Sequence, residues 1–308
     1  MSAVVIESNG ASPTGPSLRG TDVDSPTQKA IEPAAPGLSG GTGKDYRRPL
    51  ISLKSVSKVF RNGTEAIRRI SLDIPSYPQF VSLLGPSGCG KSTLLRIISG
   101  LDTCSSGSVE WPSSIHDANE RPLETIGFVF QEPTLQPWST VFDNVYLPLR
   151  LRRQRRKDAR DRVMEALKLV HLDNFANNYP RQLSGGMKMR VSVARALVMQ
   201  PKLLLMDEPF AALDEITRLQ LNNDLLELWQ AQGLTVIFVT HSIYESVYLS
   251  DRIVVIGARP GRIIADIPID APYPRTEEFR TSSLYNEHCR HVSAQLKEAM
   301  RGTSERPS

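Results

Sequence analysis

The chain has 308 residues, 40% of them hydrophobic, 23% charged and 6% aromatic, with 37 basic residues against 33 acidic for a net charge of +4. No apolar run approaches the roughly 18 residues a membrane-spanning helix needs, so the composition excludes a chain that crosses a bilayer by itself. Residues 150–162 hold eight Lys/Arg and two Asp, which leaves the remainder at about −2 and excludes a generally basic, nucleic-acid-coating protein.

In chain order, residues 1–47 come first. Of the first 43, 22 are Ser, Thr, Gly or Pro, and no aromatic precedes Tyr46. Such a segment cannot bury enough apolar surface to offset its ordering entropy and is expected to be a disordered tail. The start has neither a basic n-region nor a long apolar h-region, so no secretory leader is expected. Short β-rich runs follow at 51–60, 68–74 and 80–84. Residues 125–130 read as a strand. Residues 158–170 read as a helix, with Val163, Ala166, Leu167 and Val170 on one stripe. Residues 203–206 form a continuous apolar run, as in a strand buried on both faces of a parallel sheet. A helix at 216–229 and strands at 234–239, 252–256 and 263–269 complete the pattern.

Strand–helix alternation of this kind predicts an α/β core with a parallel sheet. A mostly helical stretch, about 139–183, interrupts it as an inserted subdomain of a domain spanning 48–272. Residues 273–308 read as a polar helical appendage and tail. Cys89, Cys104 and Cys289 are odd in number and widely spaced, which argues for a reducing compartment rather than a disulfide scaffold. His288, Cys289 and His291 offer too few ligands for a metal centre.

Gly85-Pro86-Ser87-Gly88-Cys89-Gly90-Lys91-Ser92-Thr93 fits G-x-x-x-x-G-K-[ST], with an apolar run before it and a helix-compatible stretch after it. Glycines allow the backbone to wrap tightly around phosphate, and the successive N–H groups with the helix start supply positive potential. Lys91 is placed to reach the β- and γ-phosphates and Ser92 to bind Mg²⁺, so the motif predicts a nucleoside triphosphate site. At this helix start the Cys89 thiol is expected to have a lowered pKa and to be reactive. The run 203–206 delivers Asp207 to the carboxyl end of its strand, as a Mg²⁺ holder, with Glu208 next to it to polarise the attacking water. Ser184, expected at a helix N-cap, followed by Gly185 and Gly186, makes a second anion cradle. One triphosphate does not need two cradles, so the second is expected to serve a triphosphate bound by another copy.

The phosphate loop, Ser184-Gly-Gly with Arg190 and Ala194-Arg195-Ala196, Asp207-Glu208 and His241 together resemble the nucleotide-binding subunit of an ABC transporter, over about residues 51–262. The resemblance implies a P-loop ATPase core with an antiparallel β subdomain and a helical subdomain, ATP and Mg²⁺ as ligands, and a homodimer that sandwiches nucleotide. It implies that Phe60 stacks on adenine. Gln131 becomes the lid residue that senses Mg²⁺ and the attacking water. Asp214 falls in the loop touching the partner, and His241 contacts the γ-phosphate. The same resemblance implies membrane-spanning permease subunits docking just after Gln131, around 134–141, and on the helical subdomain, a solute-binding protein acting indirectly, and a peripheral place on the cytoplasmic face of a bacterial inner membrane. No nucleic acid is expected; a soluble ABC ATPase acting on nucleic acid or the ribosome is the alternative. The segments 131–138, 144–149 and 258–262, with Met187, resemble the nitrate/sulfonate/taurine importer group, whose cargo is a small anion such as nitrate, taurine or an alkanesulfonate. Met189 departs from the usual Gln, and a thioether cannot make the amide's hydrogen bonds.

Overall fold

The computed structural model describes residues 49–111, 126–258 and 260–301. The predicted tail 1–47 lies outside them, as do Thr125 and Arg259.

Two sheets frame the site. The first is antiparallel, with strand order β2-β1-β4: β1 (Ile51–Val59), β2 (Glu65–Ile74) and β4 (Ser106–Glu110). The second has six strands in the order β5-β6-β7-β3-β8-β9: β3 (Phe80–Leu84), β5 (Ile126–Val129), β6 (Leu203–Asp207), β7 (Thr235–Thr240), β8 (Arg252–Gly257) and β9 (Arg262–Pro268). Its first five strands are parallel, and β9 pairs antiparallel with β8. The α/β reading with a parallel core and an antiparallel subdomain is therefore the observed fold.

Side chains of β6 and β7 are buried throughout, and their period of two sends alternate residues to opposite faces. Leu203, Leu205, Ile237 and Val239 join a core with Leu94, Leu95 and Ile98 of helix α1 (Lys91–Ile98) and with Ile51, Val56 and Ile70 of the antiparallel sheet. Leu204, Met206, Val236 and Phe238 join the other core. That core receives helices α2 (Val141–Leu151), α3 (Arg156–Leu169), α4 (Gly185–Leu197), α5 (Glu215–Gln232) and α6 (Ile243–Leu249). The two sheets are stitched together by Gly261, which exchanges backbone hydrogen bonds with Ala66 and Arg68 beside the phosphate loop.

The C-terminal stretch forms α7 (Glu277–Thr281) and α8 (Ser283–Arg301). The polar composition conceals an apolar stripe. Tyr285, Cys289, Val292 and Ala299 recur at helical spacing and are buried in the second core, so α8 is packed rather than solvated. Met189 also takes its explanation from packing: it is buried in the same core, two positions round α4 from Met187.

Candidate active site

The parallel strands β3, β6 and β7 end side by side, and their carboxyl ends carry the site, as open α/β sheets dictate. From β3 the chain enters the loop 85–90. Here Gly90 sits at φ 97°, and a Cβ on it would lie 2.8 Å from the Ala66 carbonyl; a Cβ on Gly85 would lie 2.4 Å from that of Ile256. The loop thus threads between backbone walls that admit only glycine at those two points. Cys89 N–H donates to the Pro86 carbonyl at 3.3 Å, closing the turn before α1 begins at Lys91. Ser87 and Gly88 lie on the exposed side and Thr93 is half-buried in the first turn of α1.

Lys91 is only 3% exposed. Its ammonium folds back across the loop, donating to the carbonyls of Gly85 (2.8 Å) and Pro86 (3.1 Å), and lies 3.3 Å from Glu208 Oε1. The Ser92 hydroxyl donates to Asp207 Oδ1 at 2.7 Å. Burial pushes the Asp207 carboxyl above its ordinary value, opposed by that hydrogen bond. A hard divalent cation recruits just such a pairing of hydroxyl and carboxylate oxygens, so Ser92 and Asp207 fit Mg²⁺.

Glu208 follows at φ 46°, a left-handed conformation that is strained for a residue with a Cβ. Its N–H donates to the Val239 carbonyl at 3.0 Å, and that tie to β7 holds the turn. As a result the carboxylate spans two neighbours: Oε1 faces Lys91 and Oε2 lies 3.3 Å from His241 Nδ1. His241 occupies the turn after β7 and is half-exposed.

That turn is braced from behind by residues the sequence reading missed. The Ser242 N–H donates to Thr240 Oγ1 at 3.0 Å, and the Thr240 hydroxyl donates to Glu245 Oε2 at 2.5 Å. Glu245 is buried, and burial pushes its carboxyl up. Arg218 approaches Glu245 at 3.9 Å and donates to the Leu213 carbonyl at 2.9 Å, linking the His241 turn to the loop that carries Asp214. A hydroxyl before the histidine and an acid four residues after it were the only signals available.

A second cluster forms apart from these groups. Ser184 is the N-cap of α4, accepting from Met187 N–H at 3.3 Å, and both Ser184 and Gly185 are exposed. Gly185 packs beside Leu213, and a Cβ on Gly186 would lie 2.6 Å from Thr217 Cγ2. Asp214 caps α5 by accepting from Thr217 N–H at 3.0 Å, and that hydrogen bond holds its carboxyl below the ordinary range. Ser184-Gly-Gly and Asp214 are therefore neighbours. None of the hydrogen bonds or ion pairs among the described residues joins them to Lys91, Ser92 or Glu208.

Phe60 follows the end of β1 at 40% exposure, in a turn closed by Phe60 N–H to the Thr64 carbonyl at 2.9 Å, with the Lys58 ammonium 5.5 Å from the ring centre. Gln131 is exposed, two residues past the end of β5. Its loop is tied to α4 by Arg195, which donates to the carbonyls of Pro133 (2.8 Å) and Thr134 (2.9 Å). Cys89 corrects one expectation: it is fully buried, and burial pushes its thiol up rather than down, so proximity to the helix start does not make it reactive.

Comparison with known proteins agrees with this geometry. The family model described as ABC transporter matches residues 67–211. An uncharacterized ABC transporter ATP-binding protein of Methanocaldococcus jannaschii is 43% identical over 260 residues, covering 83% of this chain and 94% of that protein. The aliphatic sulfonates import ATP-binding protein SsuB of Bacillus cereus is 42% identical over 252 residues, covering 80% of this chain and 96% of its own length. Among solved structures, a dimeric ATP-binding cassette in a post-hydrolysis state bound to ADP and Pi is similar with a TM-score of 0.61 at 34% identity, over 72% of this chain and 100% of that one. Likeness at more than 40% identity over four-fifths of the chain, with a family match that takes in the phosphate loop and Asp207-Glu208, settles the family: the chain belongs to the ABC transporter family, as one of its ATP-binding, ATP-hydrolysing subunits.

Proposed function

We propose that this subunit drives a bacterial importer for a small anion, working as a homodimer whose closure on ATP is relayed to membrane-spanning permease subunits. The single observation that carries the reading is the division of the site. Lys91, Ser92, Asp207, Glu208 and His241 converge at one set of strand ends, while the Ser184 cradle and Asp214 form a second cluster that, among the described residues, shares no hydrogen bond or ion pair with Lys91, Ser92 or Glu208. A second copy supplies the natural ligand for that exposed cradle: each Ser184-Gly185-Gly186 would close over the triphosphate held by the other protomer's phosphate loop.

Within one protomer, Lys91 exchanges its loop carbonyls and Glu208 for the β- and γ-phosphates, which frees the Glu208 carboxylate. Glu208 takes a proton from water as the water oxygen bonds to the γ-phosphorus and the bond to the ADP oxygen breaks, giving ADP and phosphate. His241 holds the Glu208 carboxylate from its other side. Mg²⁺, held by Ser92 and Asp207 with Gln131 from the lid loop, would supply neutralisation of phosphate charge. Phe60 offers its exposed face to adenine.

The transport reading draws on the importer-named relative. Among the described residues no helix is long and apolar enough to cross a membrane, so the permease would be supplied by other chains. The loop 134–141, with Trp138 exposed, is the proposed docking point, and the cytoplasmic face the proposed location. A solute-binding protein would deliver the anion, with nitrate, taurine or an alkanesulfonate as candidates. The test is size-exclusion chromatography with light scattering on Glu208→Gln protein. A dimer that forms with ATP and is abolished by Ser184→Arg supports the reading; a monomer with ATP demonstrably bound, even beside the permease, refutes it.

A further inference from the structure

The most concentrated charge on the molecule plays no part in the nucleotide site. Eight Lys/Arg and two Asp fall within 150–162, while the rest of the chain is slightly acidic. The structure folds this stretch into one corner: α2 ends, the chain turns through Arg153 at φ 60°, and α3 starts after Arg155. The turn is held from inside. The Tyr146 hydroxyl donates to the Gln154 carbonyl at 2.5 Å, and Gln154 N–H donates to the Leu149 carbonyl at 3.0 Å. The basic side chains therefore project from a fixed backbone.

Of the eight cations, Arg155 pairs with Asp158 at 2.7 Å, Arg156 pairs with Asp143 at 3.0 Å, Arg162 donates to the Val198 carbonyl at 2.8 Å, and Arg152 is engaged as well. Arg150, Arg153, Lys157 and Arg160 are exposed and have no ion pair among the described residues. Among these charges stands Leu151, 76% exposed although it belongs to an otherwise well-packed helix end. An exposed apolar side chain among exposed cations at one helix–helix corner matches an anionic bilayer surface: the guanidinium groups would meet headgroup phosphates while the leucine enters the acyl boundary. Single-stranded nucleic acid is the poorer match, because 150–162 contains no aromatic for a base to stack on.

We propose that the α2–α3 corner is a docking site for anionic lipid headgroups, with Leu151 as its apolar anchor. The position suits this. The 11 residues of α2 put the corner about 16 Å from the Thr140 end, next to the proposed permease contact. That last point rests on the transport reading; the charge and exposure do not.

The test is flotation of the full-length protein with vesicles of phosphatidylcholine alone and with about one-third phosphatidylglycerol, at low and high salt. Binding is expected only to the anionic vesicles and should weaken with salt. The variant carrying Arg150→Gln, Arg153→Gln, Lys157→Gln and Arg160→Gln should lose about six-hundredfold in affinity, since each of the four cations near an anionic leaflet is worth roughly fivefold. Its ATP hydrolysis in solution should match the parent's. Leu151→Ser should weaken binding to anionic vesicles at unchanged salt dependence. Absence of binding, equal binding to neutral vesicles, an unaffected quadruple variant, or corner-dependent binding of a short RNA in preference to vesicles would each overturn the proposal. ATP-driven dimerisation of Glu208→Gln is scored separately, so failure of one reading does not mask the other.

Discussion

Glu208 sits between Lys91 and His241, with one carboxylate oxygen 3.3 Å from the ammonium and the other 3.3 Å from the imidazole Nδ1. The acid proposed to accept a proton from water is thus the same group that pairs with Lys91, the proposed phosphate contact. On that reading nucleotide entry breaks this pair, and breaking it releases the base. Glu208→Gln should therefore lower kcat by a factor of about 10²–10⁴, the usual contribution of a positioned base, while ATP affinity holds or rises. Lys91→Ala should instead lose ATP binding. Steady-state hydrolysis beside equilibrium nucleotide titration separates the two effects; a Glu208→Gln protein that hydrolyses at the parent rate would assign the proton to another group.

Ser184 has two roles that substitution can pull apart. As N-cap of α4 it satisfies the Met187 N–H, a contribution of about 1 kcal/mol that Ala would lose. As a proposed anion contact it must be neutral. Ser184→Asp retains the cap and favours the helix dipole, yet places a negative charge where the partner's γ-phosphate would sit. The Tm should stay within a degree or two of the parent's while ATP-driven dimerisation disappears. A dimer that persists in Ser184→Asp would leave Ser184 a cap and nothing more.

Asp207 gives a pH dependence of definite sign. Its folded pKa is raised by burial, as is that of Glu245, so the folded state favours their neutral forms. The associated stability is fully present below the unfolded carboxylate pKa, near 4, and is lost as pH rises through the raised folded values. Asp207→Asn retains an oxygen to accept from Ser92 and removes the buried charge. At neutral pH without nucleotide its Tm should exceed the parent's by about 2–4 °C, the shift that ~1 kcal/mol produces in a chain of this size, and hydrolysis should be lost. The gain should vanish below about pH 4, where both forms are neutral. Thermal unfolding across that range, with no gain at neutral pH, would remove Asp207 as a source of stored instability.

Cys89 should resist modification. It lies fully buried within the phosphate loop with its thiol pushed up by burial, and Cys289 is buried with its thiol pushed up to about 11. Cys104 is the partly exposed one of the three. Native protein treated with a thiol reagent should label at Cys104 first, with nucleotide affinity unchanged; mass mapping of Cys89 as the fastest site would contradict the burial.

Much of this was legible in the sequence because local chemistry and tertiary position coincide. Continuous apolar runs mark β3, β6 and β7 as doubly buried strands, and the site residues follow directly at their ends. Ser184 before two glycines announces its own helix start. Other features have no local signature. β4 carries one apolar residue in Ser106–Glu110 and is a strand because β1 supplies its ladder partners. The brace behind His241 joins Arg218, Thr240 and Glu245 from three elements, so no spacing reveals it. Cys89 was misjudged because the helix start beside it is visible in sequence and the burial that outweighs it is not.

Arg275 shows how much the polar-looking C-terminal stretch contributes. It is 3% exposed, and its Nη1 donates to the carbonyls of Val247, Tyr248 and Ser250 at 3.0, 3.0 and 2.9 Å, while Nη2 donates to Ala271 at 3.1 Å. Helix α6 has no basic residue in its last turn and no glycine cap, so its end is closed by a cation from 25 or more residues downstream. The guanidinium plane lies over the Tyr273 ring at 4.1 Å, and the Tyr248 hydroxyl donates back to the Arg275 carbonyl at 2.7 Å. Because α6 starts just after His241, the clamp fixes the frame on which that histidine stands. Arg275→Met keeps the apolar stem and strands buried carbonyls, at roughly 1.5–3 kcal/mol for each charged hydrogen bond that water cannot replace. The Tm should fall by about 10 °C or more. Arg275→Lys should recover only part, since one ammonium cannot reproduce the planar fork whose Nη1 reaches the helix end while Nη2 reaches the Ala271 carbonyl. A Met variant that unfolds with the parent's midpoint would show that α6 holds its end without Arg275.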